Sequence, residues 1–225
     1  MSKKEFRGTK VHTRYRLKDG TLVPGATTVL GMIDKSGPLM RWAWKLGLEG
    51  IDYNKYRDKA AEVGTLAHYM IECELSGEEP DLTEYSPELI DKAENCLISW
   101  YEWRKSHDLE PILIEEPMVS ERYKFGGTID CYCILNGTKT LLDFKTGKGI
   151  YPSMLVQLSA YRNLLEENGH SIQQALILNI GRQESEQFQT RFVGLKDMDE
   201  LWEGFFVPAL TMYRANKKWK VVSQW

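Results

Sequence analysis

The chain has 225 residues, 42% of them hydrophobic, and a formal net charge of -3. That length buries a full core and argues for one domain of mixed architecture, and that composition excludes a disordered chain. No apolar run approaches the ~20 residues of a membrane span. The Met1-Ser2-Lys3-Lys4-Glu5-Phe6 start lacks the apolar segment of a secretory signal, so a soluble, cytoplasmic protein with no membrane partner is expected.

Residues 12–30 read as a hairpin or short extended pair. Lys18-Asp19-Gly20 supplies the turn, and Pro24-Gly25 a second break before Thr27-Thr28-Val29-Leu30. Pro38 opens a helix carrying Trp42 and Trp44 that ends near Gly47 or Gly50. A longer helix spans about 52–75 and is closed by Ser76-Gly77. Pro87 starts a third, running to about Lys105, with an apolar stripe of Ile90, Ala93, Leu97, Trp100 and Tyr101. Segments 111–120, 122–135 and 139–146 are rich in Ile, Leu, Val, Tyr and Phe. They read as strands turned at Arg122-Tyr123-Lys124 and at Asn136-Gly137, the latter a strong hairpin signal. A helix from Ser153 to about Glu167 stops at Asn168-Gly169, and strands follow at 175–180 and 187–193. Asp197 caps a final helix through Met212. The order describes one α/β domain.

Cysteine and charge add two constraints. Cys73, Cys96, Cys131 and Cys133 form no C-x-x-C hooks, which argues against structural zinc. Cys131 and Cys133 share a strand face and read as small core residues. Residues 1–18 hold seven Lys or Arg and one acid, and 211–225 hold four and none. An acidic body with basic ends can grip a phosphate backbone at its margins, or simply solvate two termini.

The chemistry concentrates on Gly126-Gly127-Thr128-Ile129-Asp130 and Asp143-Phe144-Lys145-Thr146-Gly147. Asp143 and Lys145 are two apart, so in a strand they share a face. The Gly-Gly pair before Asp130 allows close approach of another backbone or a ligand. Antiparallel neighbours lie only ~5 Å apart, where two carboxylates repel by ~3 to 4 kcal/mol at an effective dielectric near 20. A divalent cation compensates such a pair. Carboxylate ligation suits Mg²⁺ or Mn²⁺ better than zinc, and a lysine beside it can orient or deprotonate water. Gly64 and His68 share a helix face, which places an imidazole beside a close-approach point; His68 is a third ligand or an ordinary packed histidine. Gln157 and Tyr161 likewise share a face and can position a phosphate or base.

The ordered set Gly64-Thr65-x-x-His68, Gly126-Gly127-Thr128-Ile129-Asp130, Asp143-Phe144-Lys145-Thr146-Gly147 and Gln157-x-x-x-Tyr161 resembles the PD-(D/E)XK nuclease superfamily, RecB-like branch. The resemblance covers about 60–165, and Val23 to Leu30 with the Trp-bearing helix is similar to phage-type members. It implies a restriction-endonuclease-like core, a central mixed sheet flanked by helices, with an N-terminal helical extension. The implied divisions are 1–110 hairpin and helices, 111–195 catalytic core, and 196–225 C-terminal helix and basic tail. It implies His68, Asp130, Asp143 and the Phe144 carbonyl as ligands of Mg²⁺ or Mn²⁺, and Lys145 as the catalytic lysine. Gln157 and Tyr161 then lie by the substrate. A glutamate on the preceding strand often joins; Glu115 and Glu116 compete, and Glu116 is favoured. No cysteine follows Cys133, so no iron–sulfur cluster is expected. The activity implied is a DNA exonuclease of recombination, repair or replication, acting on a single strand or a free end. Its alternatives are an endonuclease of the same superfamily and a non-catalytic DNA-binding module. Arg41, Trp42, Trp44 and Lys45 would then line a channel on which bases stack, or the two tryptophans pack as core.

Overall fold

A computed structural model describes residues 13–33, 36–182 and 187–219. Lys3, Lys4, Arg7, Lys10 and Lys220 of the two basic ends lie outside the described residues. The chain begins as a hairpin, β1 (Tyr15–Arg16) and β2 (Leu22–Val23), turned through Gly20 at φ +83°. Asp19 Oδ1 accepts from the Thr21 amide at 2.8 Å, and Arg16 donates to the Gly20 carbonyl at 2.9 Å, so the turn is closed by its own side chains. The stretch after Pro24-Gly25, expected within an extended pair, is instead a short helix, α1 (Ala26–Leu30). Ala26, Val29 and Leu30 are buried at i, i+3 and i+4, and packing against the C-terminal helices outweighs the β propensity of Thr27-Thr28-Val29.

Three helices follow. They are α2 (Ser36–Leu48), α3 (Tyr53–Ser76) and α4 (Pro87–Arg104). Asp52 caps α3 through the Lys55 amide at 3.0 Å, and Gly77 ends it at φ +69°. Ser86 caps α4. The buried face of α4 is Ala93, Cys96, Ser99, Trp100 and Trp103, rotated from the expected stripe; Tyr101 is exposed. The rotation follows the two tryptophans, which stack at 5.4 Å and are both fully buried.

β3 (Leu109–Ser120), β4 (Phe125–Leu135) and β5 (Thr138–Lys145) form an antiparallel meander. Asn136 and Gly137 both take positive φ, +48° and +79°, as the tight hairpin requires. α5 (Pro152–Glu167) carries the chain across to β6 (Gln174–Ile180), parallel to β5, and β7 (Phe188–Val193) closes the edge antiparallel. The sheet order is β3-β4-β5-β6-β7. This is a mixed sheet flanked by helices, a restriction-endonuclease-like α/β fold.

The expected final helix is three pieces: α6 (Leu195–Leu201), a π turn over Trp202–Phe206, and α7 (Val207–Trp219). Asp197 lies in the first turn of α6 instead of capping it; Gly194 holds the cap position. The Val207 amide reaches back to the Trp202 carbonyl, and Pro208, next in line, has no N–H to continue a regular ladder. The sheet has a core on each face. Val29, Phe125, Leu141, Leu158 and Phe206 fill the α5 side; Leu66, Trp100, Cys131, Cys133 and Phe144 fill the α3–α4 side.

Candidate active site

The site forms where β4 and β5 part. Their pairing runs from Leu135↔Thr138 to Cys131↔Leu142 and stops. One step further, Asp130 Oδ2 accepts the Phe144 N–H at 2.9 Å, so a carboxylate takes the place of a ladder carbonyl. On the other side of Asp130, Glu115 lies between the pairs Ile114↔Cys131 and Glu116↔Ile129 and has φ +46°. A left-handed backbone at a non-glycine residue costs roughly 1–2 kcal/mol and gathers at functional sites. Ile129 and Cys131 should share a face, yet they belong to opposite cores. The regular alternation of β4 therefore breaks at Asp130, opposite the distorted residue, and both carboxylates turn into the gap.

His68, Glu115 and Asp130 each offer one ligand atom, all within 4.8 Å of one another. His68 Nδ1 stands 3.8 Å from Glu115 Oε1 and 3.8 Å from Asp130 Oδ2. These separations exceed hydrogen-bond range. A hard divalent ion with ligands at ~2.0–2.4 Å holds them roughly 3–5 Å apart around its octahedron, so the spacing fits such an ion. One nitrogen and two carboxylate oxygens suit Mg²⁺ or Mn²⁺. Of the two competing glutamates it is Glu115, not the favoured Glu116, that joins the group; Glu116 is exposed. The positive φ at 115 aims its side chain where plain alternation would not.

Asp143 stands outside that trio. It is fully buried, its Oδ2 is ion-paired with the Lys145 ammonium, and among the described residues its Oδ1 has no hydrogen-bond partner. An unsatisfied buried carboxylate oxygen is costly, and a cation beside Asp130 would satisfy it. Burial pushes the Asp143 carboxyl up to about 6, with Lys145 opposing the rise and Asp130 adding to it. For Lys145, burial alone would lower the ammonium's pKa. The Asp143, Asp130 and Glu115 carboxylates outweigh it, so the pKa rises and the group stays cationic.

Two helices bring the remaining groups from opposite faces. On α3, a Cβ at Gly64 would fall 2.7 Å from Thr146 Oγ1, so the glycine lets the helix lie against the turn after β5. That approach carries His68 to the carboxylates, its ring edge-on to Phe144 at 6.0 Å. On α5, Gln157 Nε2 donates to Tyr161 Oη at 2.7 Å. Tyr161 is buried, and burial, then the Asp130 and Asp143 charges, push its hydroxyl well above the usual range. The Gly126-Gly127 pair admits two aromatic rings, not a ligand. A Cβ at Gly127 would lie 2.6 Å from the Tyr161 ring, and one at Gly126 would overlap the ring of Tyr15.

Three further residues near the site carry no signal in the sequence. Tyr15 packs on Gly126 and shares a 2.9 Å hydroxyl hydrogen bond with Thr128. Asn179 accepts from the Gly147 amide and donates to its carbonyl, both at 3.1 Å, fixing the turn after Lys145. Arg182 donates to Thr146 Oγ1 at 3.5 Å. No local pattern marks any of them. The two α2 tryptophans divide: Trp42 packs edge-on to Tyr53 and Tyr56, while Trp44 is 64% exposed. The described helices include none long and apolar enough to cross a membrane.

No known protein-family profile matches the chain, and no curated protein matches it. Among solved structures it is similar to a protein from Eubacterium rectale described as a candidate exonuclease, with 13% identity and a TM-score of 0.45. The match covers 72% of this chain and 69% of that one. The likeness is distant.

Proposed function

We propose that the protein is a metal-dependent DNA nuclease of the RecB-like branch of the PD-(D/E)XK superfamily, and within it an exonuclease. The observation that carries this reading is the convergence of His68, Glu115 and Asp130 on one point beside the Asp143–Lys145 pair. His68, Glu115, Asp130, Asp143 and the Phe144 carbonyl would hold Mg²⁺ or Mn²⁺. When bound, the ion supplies positive charge that acidifies water and neutralises the pentavalent phosphate of the transition state. The choice of an exonuclease follows the motif resemblance, as does DNA, with a single strand or a free end, as substrate.

The chain's own groups divide the remaining work. Lys145, held cationic by its three acidic neighbours, donates to the attacking water and to a phosphate oxygen. Its charge makes it an orienting group and not the proton acceptor. Tyr161 keeps its proton, and because its oxygen already accepts from Gln157, its own O–H is directed elsewhere, toward the substrate phosphate. Asp130 ties the Phe144 amide, which fixes the backbone between Asp143 and Lys145.

End-labelled linear and circular DNA, single- and double-stranded, with Mg²⁺, Mn²⁺ or EDTA, tests the proposal. Linear DNA should be degraded with either metal and spared in EDTA, and circles should survive. Cutting of circles would replace the exonuclease with an endonuclease. Lys145→Ala should lower kcat by roughly 100- to 10,000-fold. Undiminished hydrolysis by that variant would overturn the site.

A further inference from the structure

A groove of about 290 Å³ opens beside His68, between α3 and the turns that follow β5 and β6. Ala61, Gly64 and Thr65 of α3 form one wall, and Thr146 and Arg182 the other. No acidic side chain lines it among the described residues, although Glu115, Asp130 and Asp143 crowd the neighbouring site. The groove's shape is fixed from both sides. Gly64 lets α3 pack directly on the buried Thr146, since a Cβ there would fall 2.7 Å from Thr146 Oγ1, and Asn179 clamps Gly147 by two hydrogen bonds. Arg182 is half-buried and donates to Thr146 Oγ1, so guanidinium and hydroxyl share one space.

We propose that this groove is a phosphate subsite that takes the backbone phosphate of the substrate strand adjacent to the one being hydrolysed. It rests on the nuclease reading. A guanidinium presents a planar fork of donors that matches phosphate oxygens, and Thr65 and Thr146 add hydroxyls beside it. Small side chains on α3 let a phosphodiester come close to the helix. The location has an electrostatic reason: three carboxylates at the metal centre repel a polyanion, and a cation one step along the strand offsets that repulsion. Arg182 is a positioning residue here; it touches the substrate away from the reacting atoms.

Binding of a single-stranded oligonucleotide, measured against salt with Mg²⁺ present and in a Lys145→Ala background that keeps the DNA intact, tests the subsite. Arg182→Ala should weaken binding about ten-fold and reduce the salt slope by roughly 0.7, one phosphate contact on a single strand. Ala61 is exposed, so charge can be added at the groove without disturbing the fold. Ala61→Glu should weaken binding and Ala61→Lys should strengthen it, while Mn²⁺ affinity by calorimetry stays unchanged in all three variants. Wild-type affinity and salt slope in both Arg182→Ala and Ala61→Glu would overturn the subsite. So would equal loss of Mn²⁺ binding, because the groove would then serve the metal centre alone. If Lys145-intact protein cuts DNA while binding ignores both charges, the subsite fails and the nuclease reading stands. If it cuts no DNA while binding follows both charges, the nuclease reading fails and the phosphate groove stands.

Discussion

Glu115 and Glu116 are chemically identical neighbours, and a single backbone angle separates their roles. With φ at +46°, Glu115 gives up a relaxed conformation and turns its carboxylate toward His68 and Asp130, while Glu116 faces solvent. Glu115→Gln should therefore weaken Mn²⁺ binding at least about ten-fold by calorimetry, and Glu116→Gln should leave it unchanged. Equal effects would remove Glu115 from the site. Asp143 makes a separate claim at the same scale. Its folded pKa of about 6 lies above the usual 3.8, so ionisation is disfavoured in the folded protein. The stability it allows is complete below the unfolded value and is lost as pH rises from about 4 through 6. In EDTA, denaturant melts of wild type and Asp143→Asn should diverge in the variant's favour between pH 4 and pH 7, by ~2–3 kcal/mol. A pH-independent difference would show that the carboxyl titrates normally.

At the level of elements, the glycines explain how strands and helices approach. Gly126-Gly127, a pattern that admits a ligand or another backbone, instead receives the rings of Tyr15 and Tyr161. The N-terminal hairpin is thereby pinned to β4, reinforced by the Gly126 amide donating to the Pro24 carbonyl at 2.9 Å. Gly126→Ala should destabilise the protein by ~1–3 kcal/mol through overpacking against Tyr15. Adding Tyr15→Ala should recover part of that loss, and strictly additive penalties in thermal melts would show that the two do not meet. Much at this scale was legible beforehand. The Lys18-Asp19-Gly20 and Asn136-Gly137 turns, the long α3 and the three-strand meander are set by neighbours in sequence. The helical state of Ala26–Leu30 was not, because it depends on burial against α5 and α7. Neither was the π turn at Trp202–Phe206, where Pro208 and two stacked aromatics shape the chain together.

Over the whole molecule, the mixed sheet separates two cores and leaves its open end between β4 and β5 for the polar groups. α3 delivers His68 and α5 delivers Tyr161 to that opening, so metal binding should be felt by the entire fold. Mn²⁺ at about 100 times its dissociation constant should stabilise the protein by ~3 kcal/mol, and Asp130→Asn should abolish that gain in a melting experiment. A metal-independent melting curve for wild type would count against the centre. The α/β order, the Lys18-Asp19-Gly20 and Asn136-Gly137 turns, and the residue types that gather at the site follow from local periodicity and backbone preference, and are legible in the chain alone. Long-range packing sets the rest: Glu115 joins His68 and Asp130, tyrosines fill the space over Gly126-Gly127, and Arg182 faces α3 across a groove. Those outcomes depend on a break in strand alternation and on contacts between residues tens of positions apart, and no local pattern encodes either.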